Sequence, residues 1–195
     1  MTEKKKAAKV LVFLGSPRKK GNSAALAGAL VTGARQAGAK VETVYLNGLK
    51  IKPCQACYAC RKKPAKQCVQ KDDMQSLYPK IDEADALVFA SPVYWFSVSA
   101  QTKLVMDRFF AYGARDYQGL AGKRAAVLMS YGDDDPFASG CVNALRSFQD
   151  AFNYVGIKIA GMVYGSGEEP GEITGNQALM KKAEELGKSL AASTE

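Results

Sequence analysis

Short apolar, β-branched runs alternate along this chain with longer stretches in which apolar residues return every three or four positions. Val10 to Leu14 is a continuous apolar run ending at Gly15, the pattern of a strand buried on both faces. From Asn22 to Ala37, small or apolar residues fall at Leu26, Ala29, Leu30, Gly33, Ala34 and Ala37. That spacing predicts a helix, with Asn22 or Ser23 placed to cap it. Further strands are predicted at Val41 to Leu46, Ala86 to Ala90, Arg124 to Ser130 and Ile157 to Val163. Further helices are predicted over 74–81, 99–110, 142–155 and 177–192. Five β/α units with continuous apolar strands imply an α/β fold, a parallel sheet covered by helices on both sides. No repeat, low-complexity linker or second set of elements interrupts them, so one domain is expected over 1–195. Residues 47–74 carry no strong period and hold four of the five cysteines; an insertion this long is a functional candidate.

In doubly wound sheets ligands sit beyond the carboxyl ends of the strands, which points to segments 15–23, 91–97 and 130–140. The first runs Gly15-Ser16-Pro17-Arg18, then Gly21-Asn22-Ser23, straight into a helix. Unpaired N–H groups and partial positive charge at a helix start suit a phosphate. Ser16, Asn22 and Ser23 add short donors, and Arg18 adds a charged fork. The glycine spacing is neither that of a Walker A loop nor Gly-x-Gly-x-x-Gly, so a phosphate monoester is the better guest. A plain strand-to-helix turn is the competing reading. In the second segment, Tyr94, Trp95 and Phe96 stand side by side after a buried strand. Core packing cannot easily use three adjacent rings, whereas a loop facing a flat heterocycle can. A hydrophobic oligomer contact is the alternative for Trp95 or Phe96.

Composition narrows the chemistry. The chain has no histidine, which removes Ser-His-Asp and Cys-His catalysis and every His-ligated metal site. A bound cofactor is then the natural source of reactivity. The formal net charge is +8, but Lys4 to Lys6, Lys62, Lys63, Lys66, Lys80, Lys181, Lys182 and Lys188 are scattered, as on a solvated surface. The charge favours anionic small molecules and leaves a nucleic-acid-binding protein as the less favoured reading. No apolar run is long enough to cross a bilayer, and residues 1–9 lack the apolar segment of a signal peptide, so a cytoplasmic protein with no membrane partner is expected.

Cys54, Cys57, Cys60 and Cys68 follow a C-x2-C-x2-C-x7-C pattern. Three regularly spaced thiolates can wrap one face of an iron–sulfur cubane while a fourth closes it. Zinc held by four thiolates and a set of reduced thiols with no metal are the alternatives. A disulfide framework does not suit the cytosol. Arg61, Lys62, Lys63 and Lys66 would favour thiolates and an anionic cluster. Cys141, in or near a helix, reads as a small buried residue.

Taken in order, Gly-Ser-Pro-Arg with Gly-Asn-Ser, the cysteine segment ending in Asp72-Asp73-Met74, and Ser-Pro-Val-Tyr-Trp followed by Gln101-Thr102-Lys103 and Asp107-Arg108 resemble one family. It is the NADPH-dependent FMN reductase branch of the flavodoxin-like proteins, and within it the iron–sulfur flavoprotein group. The resemblance spans nearly the whole chain. It implies a flavodoxin-like three-layer sandwich whose five-stranded parallel sheet has the order 2-1-3-4-5. It implies FMN, its phosphate near Ser16, Arg18, Asn22 and Ser23, its ring against Pro92, Val93, Tyr94, Trp95 and Phe96, and its polar edge near Ser130, Tyr131 and Gly132. It also implies a 4Fe–4S cluster on the four cysteines, and a homodimer or homotetramer. The last cysteine gap is longer than in ferredoxin-like runs, and no proline follows Cys68. The expected activity is electron transfer from NAD(P)H or a ferredoxin-type donor through FMN to a small acceptor such as a quinone or a free flavin. No side chain need act as acid or base; Tyr94, Tyr131 and Asp133 are the nearest for tuning. A non-enzymatic FMN electron carrier is the alternative.

Overall fold

The computed structural model describes residues 6–62 and 67–192. Lys4, Lys5, Lys63 and Lys66, counted above among the basic residues, lie outside them. Five strands form the parallel sheet: β1 (Lys9–Leu14), β2 (Lys40–Tyr45), β3 (Ala86–Tyr94), β5 (Arg124–Tyr131) and β6 (Lys158–Ser166). Their spatial order is β2-β1-β3-β5-β6. That is the expected 2-1-3-4-5 order once a two-residue strand, β4 (Ser97–Val98), is set aside; it pairs antiparallel with the end of β3. The helices are α1 (Asn22–Gln36), α2 (Ala59–Lys62), α3 (Met74–Glu83), α4 (Ala100–Arg108), α5 (Cys141–Tyr154) and α6 (Gln177–Ala191).

Alternation along the strands divides the core into two layers. Val10, Val12, Val88, Ala90, Ala126 and Leu128 point to one face and meet α1 and α6 through Leu26, Leu30, Ala183 and Leu190. Leu11, Phe13, Leu87, Phe89, Val127 and Met129 point to the other, against α3, α4 and α5. Phe89 is the centre of that second layer, its ring 4.9–6.0 Å from those of Phe13, Phe109, Phe148 and Phe152. The central strands are apolar on both faces because both faces are covered.

Two elements depart from the sequence reading. Ser91-Pro92-Val93-Tyr94, expected as loop, continues β3, with Val93 opposite Val98 and Tyr94 opposite Ser97. The local signal fails because hairpin pairing, not period, extends the strand. After α4 the chain tightens into a 3-10 segment over Phe109–Arg115 instead of ending. Among the described residues no helix is long and apolar enough to cross a membrane.

Candidate functional site

At the carboxyl ends of β1, β3, β5 and β6 lies an open cleft of ≈ 230 Å³. Its walls are Ser16, Arg18, Gly21, Asn22 and Ser23 from the first loop, Pro92, Val93 and Tyr94 from β3, Ser130, Tyr131 and Gly132 from β5, and Gly167, Glu168 and Pro170 after β6. Three segments named from sequence therefore meet in one place. The fourth, 167–170, was missed. Its Gly-Glu-Glu-Pro-Gly turn follows the last strand, so the strand-end rule applied once more would have found it.

The first loop is shaped by close backbone approach. Gly15 donates its N–H to the Ala90 carbonyl (2.8 Å) and accepts from the Ser99 hydroxyl (2.8 Å). A Cβ at Gly15 would lie 1.9 Å from Thr102 Oγ1, so only glycine fits there. Ser99 also caps α4, accepting from the Thr102 N–H. A buried knot of Ser91, Ser99 and Thr102 thus joins the first loop, the end of β3 and the start of α4.

Beyond Gly15, α1 begins with no side-chain cap and no acidic residue in its first turn. The first helical N–H taken by the backbone is that of Ala25, bonded to Gly21; among the described residues those of Asn22, Ser23 and Ala24 have no backbone partner, as at any helix start, which suits an anion. Ser23, at the second position of this turn, is 1% exposed and lines the cleft. Arg18 is exposed beside it, with its own N–H given to the Ser16 hydroxyl (3.0 Å).

Asn22 lines the cleft, but its side chain is committed elsewhere. Its amide donates to the Gly167 and Glu169 carbonyls (2.7 and 2.9 Å) and accepts the Ile173 N–H (3.2 Å). The residue therefore ties the fourth wall to the first, and what it offers an anion is its backbone N–H. Glu172 reinforces that wall by accepting the Glu168 and Glu169 N–H groups (2.8 and 2.9 Å).

The aromatic segment divides. Tyr94 lines the cleft, whereas Trp95 and Phe96 form the hairpin tip beyond its wall. Trp95 is 93% exposed. Tyr131 is buried; burial first, then Cys141, Tyr164 and Asp135, push its phenol above the ordinary value, which keeps it a neutral hydrogen-bond donor. Asp133 does not line the cleft; its carboxylate accepts the Asp134 and Asp135 N–H groups (2.7 and 3.3 Å) within its own loop.

The cysteine segment forms a separate feature. All five cysteines are free; Cys54 and Cys57 are exposed, Cys68 is half-buried, and Cys60 and Cys141 are buried. Burial, followed by the neighbouring Cys68 and Cys57 thiols, raises the Cys60 pKa against a smaller opposing pull from Arg61. Four thiols on one loop suit iron or zinc in donor chemistry. Among the described residues, however, no three of these or other acidic side chains stand close enough together to hold an ion, so ligation requires the loop to draw its thiols inward.

A parallel sheet in this order, with an uncapped helix start and three strand ends around one cleft, defines a flavodoxin-like α/β protein. The family model for NADPH-dependent FMN reductase matches residues 8–169, and the chain belongs to that family of oxidoreductases. Among curated relatives, an iron-sulfur flavoprotein of Archaeoglobus fulgidus is 36% identical over 188 residues, covering 96% of this chain and 80% of its own. An iron-sulfur flavoprotein of Methanosarcina thermophila is 32% identical, covering 87% and 84% respectively. Among solved structures, the NAD(P)H:quinone oxidoreductase of Methanothermobacter marburgensis shares the fold with a TM-score of 0.73 at 22% identity, over 95% of this chain and 100% of that one.

Proposed function

We propose that this oxidoreductase holds FMN in the strand-end cleft and uses it to pass electrons from NAD(P)H to a small acceptor such as a quinone or a free flavin. The observation that carries the reading is the meeting, in one cleft, of Arg18 and the uncapped start of α1 at Asn22 and Ser23 with the ends of β3 and β5. The N–H groups of Asn22, Ser23 and Ala24 and the hydroxyls of Ser16 and Ser23 would receive the phosphate, with Arg18 closing over it. At ≈ 230 Å³ the cleft suits one phosphate and a sugar chain better than a dinucleotide, with the ring left at the mouth against Pro92, Val93 and Tyr94. Ser130, Tyr131 and Gly132 would face the ring's polar edge. FMN, when bound, supplies hydride acceptance and electron transfer; the chain supplies position, exclusion of water and charge.

The proposal includes a cluster. Cys54, Cys57, Cys60 and Cys68 would hold 4Fe–4S iron, a reading supported by the spacing and by relatives that carry iron–sulfur in their names. Assembly as a homodimer or homotetramer completes it, supported by an apolar groove between α4 and α5 beside the exposed Tyr154. The test is an absorbance spectrum with FMN, iron and sulfide analysis after anaerobic purification, followed by steady-state NAD(P)H oxidation. Flavin bands that do not return after FMN addition would defeat the cofactor reading. Flavin bands without iron would defeat the cluster alone, and bound flavin without turnover would leave an electron carrier.

A further inference from the structure

The cysteine-rich loop is held at both ends by one guanidinium. Outgoing residues 50–53 run beside returning residues 70–73, and side chains of the returning limb bind backbone of the outgoing one. The Asp73 carboxylate accepts the Lys50 N–H (2.7 Å), and Asp72 accepts that of Lys52 (2.9 Å) and that of Met74 (3.2 Å). The Gln70 amide donates to the Pro53 carbonyl (3.0 Å), and Gln75 donates to the Cys68 and Gln70 carbonyls (2.7 Å each). Arg108, at the end of α4, closes the pair. It meets both Asp72 oxygens and also donates to the Lys52 carbonyl (3.0 Å). The side chains of Arg108 and Asp72 are each 1% exposed.

A second arginine holds the far part of the loop. Arg61, on α2, donates to the Gly113 carbonyl (2.6 Å) and the Tyr117 hydroxyl (3.1 Å). Its guanidinium lies over the rings of Phe110 and Tyr117, at 4.7 and 5.6 Å. A Cβ at Gly113 would come within 2.3 Å of that guanidinium, so the glycine makes the seat. Cys60, the residue before Arg61, is 7% exposed, while Cys54 and Cys57 stand in solvent.

We propose that Arg108 is a positioning residue which, with Arg61, buttons the cysteine loop onto α4 and the 109–117 segment, so that Cys60 is seated before any metal arrives. A buried ion pair adds little stability over an apolar pair of the same volume. What it adds is register: only one placement of the loop satisfies Asp72, Lys52 and Arg108 together. The other end of α4 carries Ser99 and Thr102, which anchor Gly15 of the phosphate loop. The helix is therefore a common mount for the thiol loop and the cleft. The consequence for iron rests on the cluster reading above; the clasp does not.

The test is native alkylation of the FMN-loaded, metal-free protein, with each cysteine followed by peptide mass spectrometry. In the wild type Cys54 and Cys57 label fast, Cys60 slowly and Cys141 not at all. The double variant Arg108→Gln/Asp72→Asn removes both charges and orphans neither; Arg61→Met opens the far end and serves if the double variant does not fold. In each, Cys60 labelling should rise roughly tenfold as the loop opens locally, with Cys141 still protected and FMN affinity unchanged. Arg108→Lys should fall between, because an ammonium cannot bridge Asp72 and Lys52 as the fork does. In anaerobically purified protein, iron and sulfide per chain should fall in the same variants. Unchanged Cys60 labelling, or labelling that rises only together with Cys141, overturns the proposal. A wild type without iron defeats the cluster reading and leaves the labelling to decide the clasp.

Discussion

The hairpin between β3 and β4 places its two most exposed rings in a backbone region that side chains avoid. Trp95 and Phe96 have φ of +48° and +64°, the left-handed pair that a two-residue hairpin of this twist demands and that Asn-Gly normally fills. For an ordinary residue that conformation costs about 1–2 kcal/mol. Trp95 recovers little of it, since it is 93% exposed and its chief ring contact is an edge-on one with Phe96 at 6.0 Å. Trp95→Asn should therefore stabilise the FMN-free protein by about 1 kcal/mol, because asparagine tolerates the left-handed region. For a chain of 195 residues that is a rise in Tm of about 2–4 °C, read by thermal circular dichroism. If the strain persists because the indole covers the edge of the flavin, FMN affinity should fall in the same variant. The loss of one ring contact, about 0.5–1.5 kcal/mol, corresponds to roughly 2- to 10-fold. An unchanged or lower Tm in the FMN-free variant would refute the strain argument.

Two further outcomes follow from buried contacts. Gly15→Ala puts a methyl 1.9 Å from Thr102 Oγ1 and 3.0 Å from Ser99 Oγ; it should cost about 1–3 kcal/mol by overpacking and weaken FMN binding, with partial recovery in Gly15→Ala/Thr102→Ala, checked by urea unfolding and flavin titration. At Asp72 burial acts to raise the carboxyl pKa, but Arg108 and the Lys52 and Met74 N–H groups outweigh it and hold the pKa below its ordinary value. The stabilisation is thus fully present above pH about 4 and lost as the pH falls through the lower folded value. Asp72→Asn, weakened by about 3–5 kcal/mol because Arg108 is left buried and unpaired, should lose less between pH 6 and pH 3 than the wild type in urea unfolding.

The hydrophobic period along the chain determined the five parallel strands and the helices of both layers, because a strand covered on two faces must be apolar throughout and a covering helix apolar on one side. The strand order came only from the family resemblance, since periodicity does not say which strands are neighbours. The strand-end rule then identified three walls of the cleft without coordinates. What the sequence could not decide is how each polar side chain spends its hydrogen bonds. Asn22 reads as an anion donor from its place at a helix start, yet its amide is consumed by the 167–173 turn, more than 140 residues away in sequence. Trp95 and Phe96 read either as facing a flat heterocycle or as an oligomer contact, and only the pairing of Val93 with Val98 shows them at a hairpin tip beside the cleft. Asp72 and Arg108 read only as parts of motifs, and only the folded chain brings them together under the cysteine loop. Periodicity is local and reports which face is buried; partners across the fold depend on register and close approach, which tertiary structure alone decides.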